Sequence, residues 1–210
     1  MKVIATNLAV KKSILWNGKK VSTGIYKYPT NRPIQLKKES VANDIIADRK
    51  VHGGIYKACY LYASDHYPYW KTIYPDLDWN WGMFGENLTV EGLCESDLRI
   101  GNIYTIGTAI IQITQPREPC FKLGIRFGNQ EILKQFIVQD RSGTYVRILQ
   151  EGMVEKGDQL ELVEESINTL TTAQFFNLLY ARKKDPLLVQ CAIQNQALPA
   201  YKRERIKKFL

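Results

Sequence analysis

Apolar and polar residues alternate through Ala109-Ile-Ile-Gln-Ile-Thr114, a period of two that predicts a β-strand. The alternation stops at Gln115-Pro-Arg-Glu-Pro-Cys120-Phe-Lys122-Leu123. Pro116 and Pro119 fix φ and remove donors, so a stiff loop is expected at the strand end. Other short β-prone runs surround this one. Residues 1–12 read as a first strand, and Asn17-Gly18 between Ile14-Leu-Trp16 and Lys19-Lys-Val21 is a strong hairpin signal. Ile34-Gln-Leu36 reads as extended, residues 39–47 as a polar strand, and Lys57–Ala63 as a buried strand. Leu88–Val90 and the hairpin-like piece 100–109 follow. Then come Tyr145–Leu149 and Asp158–Val163, with a turn over Glu151–Asp158 between them. Two helices interrupt the strands. One runs over 65–73 with Ser64 or Asp65 as cap, and one lies within 129–137 with Ile132, Leu133, Phe136 and Ile137 on one face.

Many short strands with glycine turns predict a β-barrel rather than a βαβ sheet. The pattern changes near residue 165. Thr169 or Thr171 can cap a helix through Gln174–Ala181. Asp185 can cap one that begins at Pro186, and Pro199–Leu210 reads as a third amphipathic helix. The expected fold is mostly β (α+β): a barrel domain over 1–164 with a few short helices, and a three-helix unit over 165–210. So small a helical unit has little core of its own, and it is expected to pack on the barrel or on a second copy in a homodimer.

The 210 residues carry 45% hydrophobic side chains, enough for a real core. No apolar stretch approaches the roughly 20 residues of a membrane-spanning helix, and no cleavage site of signal-peptide type is seen. Cys59, Cys94, Cys120 and Cys191 are dispersed without a Cys-x-x-Cys, which argues against a disulfide framework and a structural zinc site. A soluble, cytoplasmic protein is the expectation. The formal charge of +8 points to an anionic ligand or partner. No nucleic-acid or membrane motif accompanies it.

Three stretches could carry chemistry. Arg49, Lys50, His52, Gly53, Gly54 and Lys57 together offer guanidinium, imidazole, ammonium and bare backbone N–H, the parts of a phosphate site, without a P-loop pattern. Gly85-Glu86-Asn87 adds an acid and an amide, and equally fits an ordinary turn into a strand. Cys120 has Arg117 before it and Lys122 after it, and cationic neighbours favour the thiolate, the form that attacks or binds metal. A buried structural cysteine is the alternative. A nucleophile–base pair of Cys120 with His52 or His66 is not required by the spacing, and no Gly-x-Ser-x-Gly elbow exists.

Taken in order, Asp48-Arg-x-Val-His-Gly-Gly-x-x-Lys57-Ala, Phe84-Gly-Glu-Asn87-Leu and Gln115-Pro-Arg-x-Pro-Cys120-Phe-Lys122-Leu resemble the MOSC domain, the family of molybdenum cofactor sulfurase C-terminal domains. The helical tail is similar to the addition in its bacterial YiiM-like branch. The resemblance implies a compact, mostly β barrel that binds molybdenum cofactor, a phosphorylated pterin whose dithiolate holds molybdenum. Pyridoxal phosphate is not expected. Cys120 would ligate the metal as a soft thiolate and be the catalytic residue. Arg49, His52, Lys57, Glu86, Asn87, Gln115, Arg117 and Lys122 would bind the cofactor. The implied activity is reduction of N-hydroxylated compounds, hydroxylamines and N-hydroxylated bases, to amines. The chain has no flavin, nucleotide or iron–sulfur fingerprint, so electrons would come from a separate donor of flavodoxin or ferredoxin type with its reductase. A cofactor carrier or sulfur-transfer module without turnover is the alternative.

Overall fold

The computed structural model describes residues 1–45 and 53–210. In chain order its strands are β1 (Lys2–Ala9), β2 (Lys12–Trp16), β3 (Lys19–Thr23), β4 (Lys27–Thr30), β5 (Ile34–Lys37), β6 (Ser40–Val41) and β7 (Cys59–Ala63). They continue as β8 (Leu88–Glu91), β9 (Ile103–Ile106), β10 (Ala109–Pro116), β11 (Thr144–Gln150), β12 (Gly152–Val154) and β13 (Leu160–Glu164). The helices are α1 (Tyr67–Ile73), α2 (Phe121–Arg126), α3 (Ile132–Val138), α4 (Thr172–Tyr180), α5 (Pro186–Gln194) and α6 (Ala200–Lys207). The fold is mixed α+β. No helix of the described residues is long and apolar enough to cross a membrane.

Eight strands form one sheet in the order β13-β9-β10-β11-β7-β8-β1-β4. Its pairings are antiparallel except β7 with β8, which run parallel. The sheet curls on itself: Lys2 bridges Gln159, and the Val3 N–H donates to the Asp158 carbonyl at 2.9 Å, so the start of β13 meets the start of β1. β12-β5-β6 forms a small second sheet. β2 and β3 stand apart as a hairpin whose turn residues, Asn17 (φ 48°) and Gly18 (φ 73°), have the left-handed backbone that Asn-Gly favours. Trp16 at its tip stacks on Phe121, ring centroids 4.7 Å apart.

The alternation of 109–114 is realised in β10, with Ile111 and Ile113 fully buried. All five residues of β7 are buried, as suits a strand covered on both faces. The side chains of Leu36, Leu61, Val90, Ile111 and Val146 share a core with Phe175, Val189, Leu198 and Ile206 of the C-terminal region. The three helices therefore pack directly on the sheet. A second, aromatic core joins Tyr62, Trp70, Phe84, Phe127, Phe136 and Phe176.

Three local expectations are corrected. Of the described part of the polar strand expected over 39–47, only Ser40–Val41 is strand (β6), because Asn43 turns the chain with φ 62° and sends Asp44 inward; residues 46 and 47 lie outside the described residues. Ser64 and Asp65 do not cap α1; they begin a 3-10 turn, and Asp65 instead accepts the Gly92 N–H at 3.0 Å. The expected turn over 151–158 contains β12, which pairs with β5. The stiff loop expected at the strand end spans 117–120, and α2, a short helix carrying Gly124 that periodicity does not reveal, follows it. In the tail, Thr171 forms a capping box with Gln174, and Asp185 accepts from the Leu187 and Leu188 N–H groups, so both expected caps form.

Candidate functional site

β10 runs two residues beyond its alternating stretch, so Gln115 and Pro116 end the strand with Gln115 buried. Proline is tolerated at a strand end because no ladder donor is needed there. Cys120 then takes an extended backbone (φ −132°, ψ 165°) as the residue that begins α2, its carbonyl accepting the Leu123 N–H at 2.8 Å. Its thiol is partly exposed, whereas Cys59 is buried and burial pushes that thiol far up. Arg117 is buried. It donates through Nη1 to the Phe84 carbonyl and places its guanidinium 5.1 Å from the centre of the Tyr60 ring.

The opposite wall is built on Asp44. Its carboxylate accepts from the Ala9 N–H (2.8 Å) and Asn87 Nδ2 (2.9 Å), and it forms an ion pair with Lys27. Lys27 is only 6% exposed. Burial pulls its ammonium down from the usual lysine range, and Asp44 pulls it back up. Gly82 makes room for it: φ is +86°, and a Cβ there would lie 2.7 Å from the Lys27 carbonyl oxygen. Asn87 is fixed at both ends, its Oδ1 accepting the Tyr60 N–H at 3.3 Å.

Between these walls lies a cleft of about 620 Å³ with its solvent mouth included. Lys27, Lys57, Arg117 and Lys122 line it against the single carboxylate of Asp44, four positive charges to one negative among the described residues. Cys120, Tyr60, Asn87 and Tyr145 also line it. Burial lowers Lys57, and nearby Lys202 adds to this, with Glu118 and Cys120 opposing. The Tyr145 phenol is pushed up to about 12 by burial, with Arg117 opposing. Such a concentration of cations in a partly enclosed space suits an anionic ligand.

The structure gathers Cys120, Lys57, Asn87, Arg117 and Lys122 on one cleft. Two expected contributors stand elsewhere. Gln115 lines an adjoining hollow with Gly53, Gly54, Tyr56 and Tyr201, and donates through Nε2 to the Tyr56 carbonyl at 3.2 Å. Glu86 is 0% exposed and turned away from the cleft. It accepts from the Gly82 N–H (2.8 Å), the Phe84 N–H (3.1 Å), Thr89 Oγ1 (2.9 Å) and the Tyr67 hydroxyl, so it organises its own loop. Burial raises this carboxyl, and those donors oppose the shift. Arg49, Lys50 and His52 lie outside the described residues. His66 pairs with Glu95 at 3.0 Å, edge-on to Tyr62, and does not line the cleft. Sequence reasoning missed Lys27, Asp44, Tyr60 and Tyr145, whose approach depends on strand pairing and carries no local motif.

Among the described residues, no three His, Cys, Asp or Glu side chains converge to hold a bare metal ion. Cys120 offers one soft sulfur, which suits a metal that arrives with ligands of its own. The cations around it suit an anionic group attached to that metal.

Fold and site together define an α+β protein that presents a thiol inside a cationic cleft at a strand end. Residues 48–161, more than half of the chain, match the MOSC domain, and the chain belongs to the MOSC domain family. It is similar to YflK of Bacillus subtilis (strain 168), 35% identical over 197 residues that cover 93% of this chain and 88% of that one. It is 33% identical over 187 residues to a protein named Reductase from Gibberella moniliformis (strain M3125 / FGSC 7600), covering 87% of this chain but 33% of that longer one. The crystal structure of YiiM from Geobacillus stearothermophilus superposes with a TM-score of 0.83 at 32% identity, covering 100% of this chain and 98% of that one.

Proposed function

We propose that the protein binds molybdenum cofactor in this cleft and reduces N-hydroxylated compounds to the corresponding amines. The observation that carries the reading is the placement of the Cys120 sulfur among Lys27, Lys57, Arg117 and Lys122. Membership of the MOSC family and similarity to a protein named Reductase support it. When bound, the cofactor would supply a two-electron redox centre.

The chain's own part is positioning and electrostatics. Cys120 would hold the metal through its thiolate. Arg117 and the three lysines would hold phosphate and pterin oxygens, Arg117 through a planar fork and the lysines as point charges. Asp44 pairs with Lys27 and orients Asn87. Reducing R–NHOH to R–NH₂ takes two electrons and two protons and releases water. The protein would receive the electrons from a separate acidic donor of flavodoxin or ferredoxin type, drawn to its basic surface.

The test is molybdenum and pterin analysis of protein from a cofactor-competent host, beside Cys120→Ala, with turnover of an N-hydroxylated base by the loaded protein and a reductase pair. Cofactor in the wild type, its loss in Cys120→Ala, and turnover are expected. Cofactor without turnover would make the protein a carrier. Full metal and full turnover in Cys120→Ser would sink the assignment of the thiol.

A further inference from the structure

Helix α6 reaches the loop that carries Cys120. Lys202 is 2% exposed and its ammonium is paired with Glu118 Oε1. Arg205 Nη1 stands 3.5 Å from the other oxygen, Oε2. Tyr201 completes the contact, its hydroxyl 3.5 Å from Gln115 Oε1 at the end of β10. Three side chains of one helix thus touch Gln115, just before the Pro116–Pro119 loop, and Glu118 within it.

A buried lysine is a costly way to fill space. An apolar residue of similar volume is often neutral or stabilising in place of a buried ion pair, and Lys202 already lies 5.8 Å from the Phe175 ring centre, where an apolar chain would pack. The charge therefore calls for a reason. Glu118 lies two residues from Cys120, and Cys120 lines the cleft. A carboxylate there without compensation would offset the positive charge of the cleft and repel an anion. Lys202 and Arg205, both on α6, neutralise it.

We propose that Lys202 is a positioning residue for the anion cleft, holding Glu118 and cancelling its charge so that the cleft's excess of cations acts on an anionic ligand. The inference rests on the reading of the cleft as an anion site, but its test needs neither cofactor nor turnover. Inorganic phosphate is titrated into apo-protein, with protection of the Cys120 thiol from iodoacetamide as the local readout. Lys202→Met should weaken phosphate protection about tenfold, the size of effect one nearby charge produces in a partly buried site. Lys202→Arg should restore it to near wild type. Glu118→Gln combined with Lys202→Met should also restore it, since the offending carboxylate is gone. A purely structural role predicts the reverse for that double variant, which would stay as weak as Lys202→Met, and this result would overturn the inference. So would wild-type protection in Lys202→Met itself. Should Lys202→Met fail to fold, the folded double variant and Lys202→Arg decide the matter: protection by phosphate in both supports the inference, and its loss in the double variant refutes it. A wild type that phosphate does not protect would bring down the anion-site reading as well.

Discussion

Arg117 donates to the backbone carbonyl of Phe84, which ties the loop before Cys120 to the glycine loop that leads into Asn87. The two partners are 33 residues apart in sequence, and both are buried. The bond joins the second and third sequence motifs into one wall. It also satisfies a carbonyl that the Gly82–Gly85 turn leaves without a ladder partner.

Replacing Arg117 with Met should leave that carbonyl unpaired and cost roughly 1–3 kcal/mol. For a chain of this size, each kcal/mol lowers Tm by about 2–4 °C. Arg117→Lys should recover part of the stability but not anion retention, because an ammonium cannot reproduce the guanidinium fork. Thermal unfolding and phosphate titration on the same samples separate the two effects.

Gly82→Ala should be worse than an exposed glycine substitution. The positive φ costs about 1 kcal/mol by itself, and the new Cβ would meet the Lys27 carbonyl at 2.7 Å. Displacement of β4 would carry Lys27 away from Asp44. A lower Tm should therefore come with weaker phosphate binding, while Gly18→Ala, with open space at its Cβ position, should lower stability without touching the cleft.

Native-state alkylation should distinguish three of the four thiols. Exposed Cys94 should react with iodoacetamide, and Cys120 should react at a rate that phosphate suppresses. Cys59 should stay unmodified until the protein unfolds, since its thiol is buried and held protonated. Peptide mapping by mass spectrometry reads all four. Rapid modification of Cys59 in folded protein would contradict the packing of β7.

Glu118 sets a pH dependence. Burial would raise its carboxyl, but Lys202, Arg205 and Lys57 outweigh burial and hold it below the usual value of 4.5. The folded state then binds fewer protons than the unfolded state in the window below 4.5, so stability rises with pH through that window. The contribution is complete above it and lost as pH falls through the folded value. The Tm difference between wild type and Glu118→Gln should be largest near neutrality and vanish at low pH. A difference that persists unchanged at pH 3 would rule out this origin.

Much of the fold was legible because it is locally encoded. The period of two in 109–114, the Asn17-Gly18 turn, the Thr171–Gln174 capping box and Asp185 before Pro186 each fix a backbone geometry within a few residues. β12 was not legible, since Gly152-Met-Val154 becomes a strand only by pairing with β5. The same divide runs through the site. Residue types gathered by motif gave Cys120, Arg117, Lys122, Asn87 and Lys57. They could not tell that Glu86 faces inward, because a motif fixes spacing and not direction. Lys27 and Asp44 were invisible, as β4 joins the sheet beside β1 and far from any signature.

The Glu118–Lys202 contact spans 84 residues of sequence. Chains are made from the N-terminus at about 5–20 residues per second, so roughly 4–17 s separate the synthesis of the acid from that of its buried partner. Throughout that interval the loop bearing Cys120 exists without its clamp. The thiol then passes through a nascent stage without the cover of α6, and on the proposed reading the cleft would take its ligand only after that helix has docked. Shielding the nascent chain would then matter as much for yield of competent protein as any property of the finished fold.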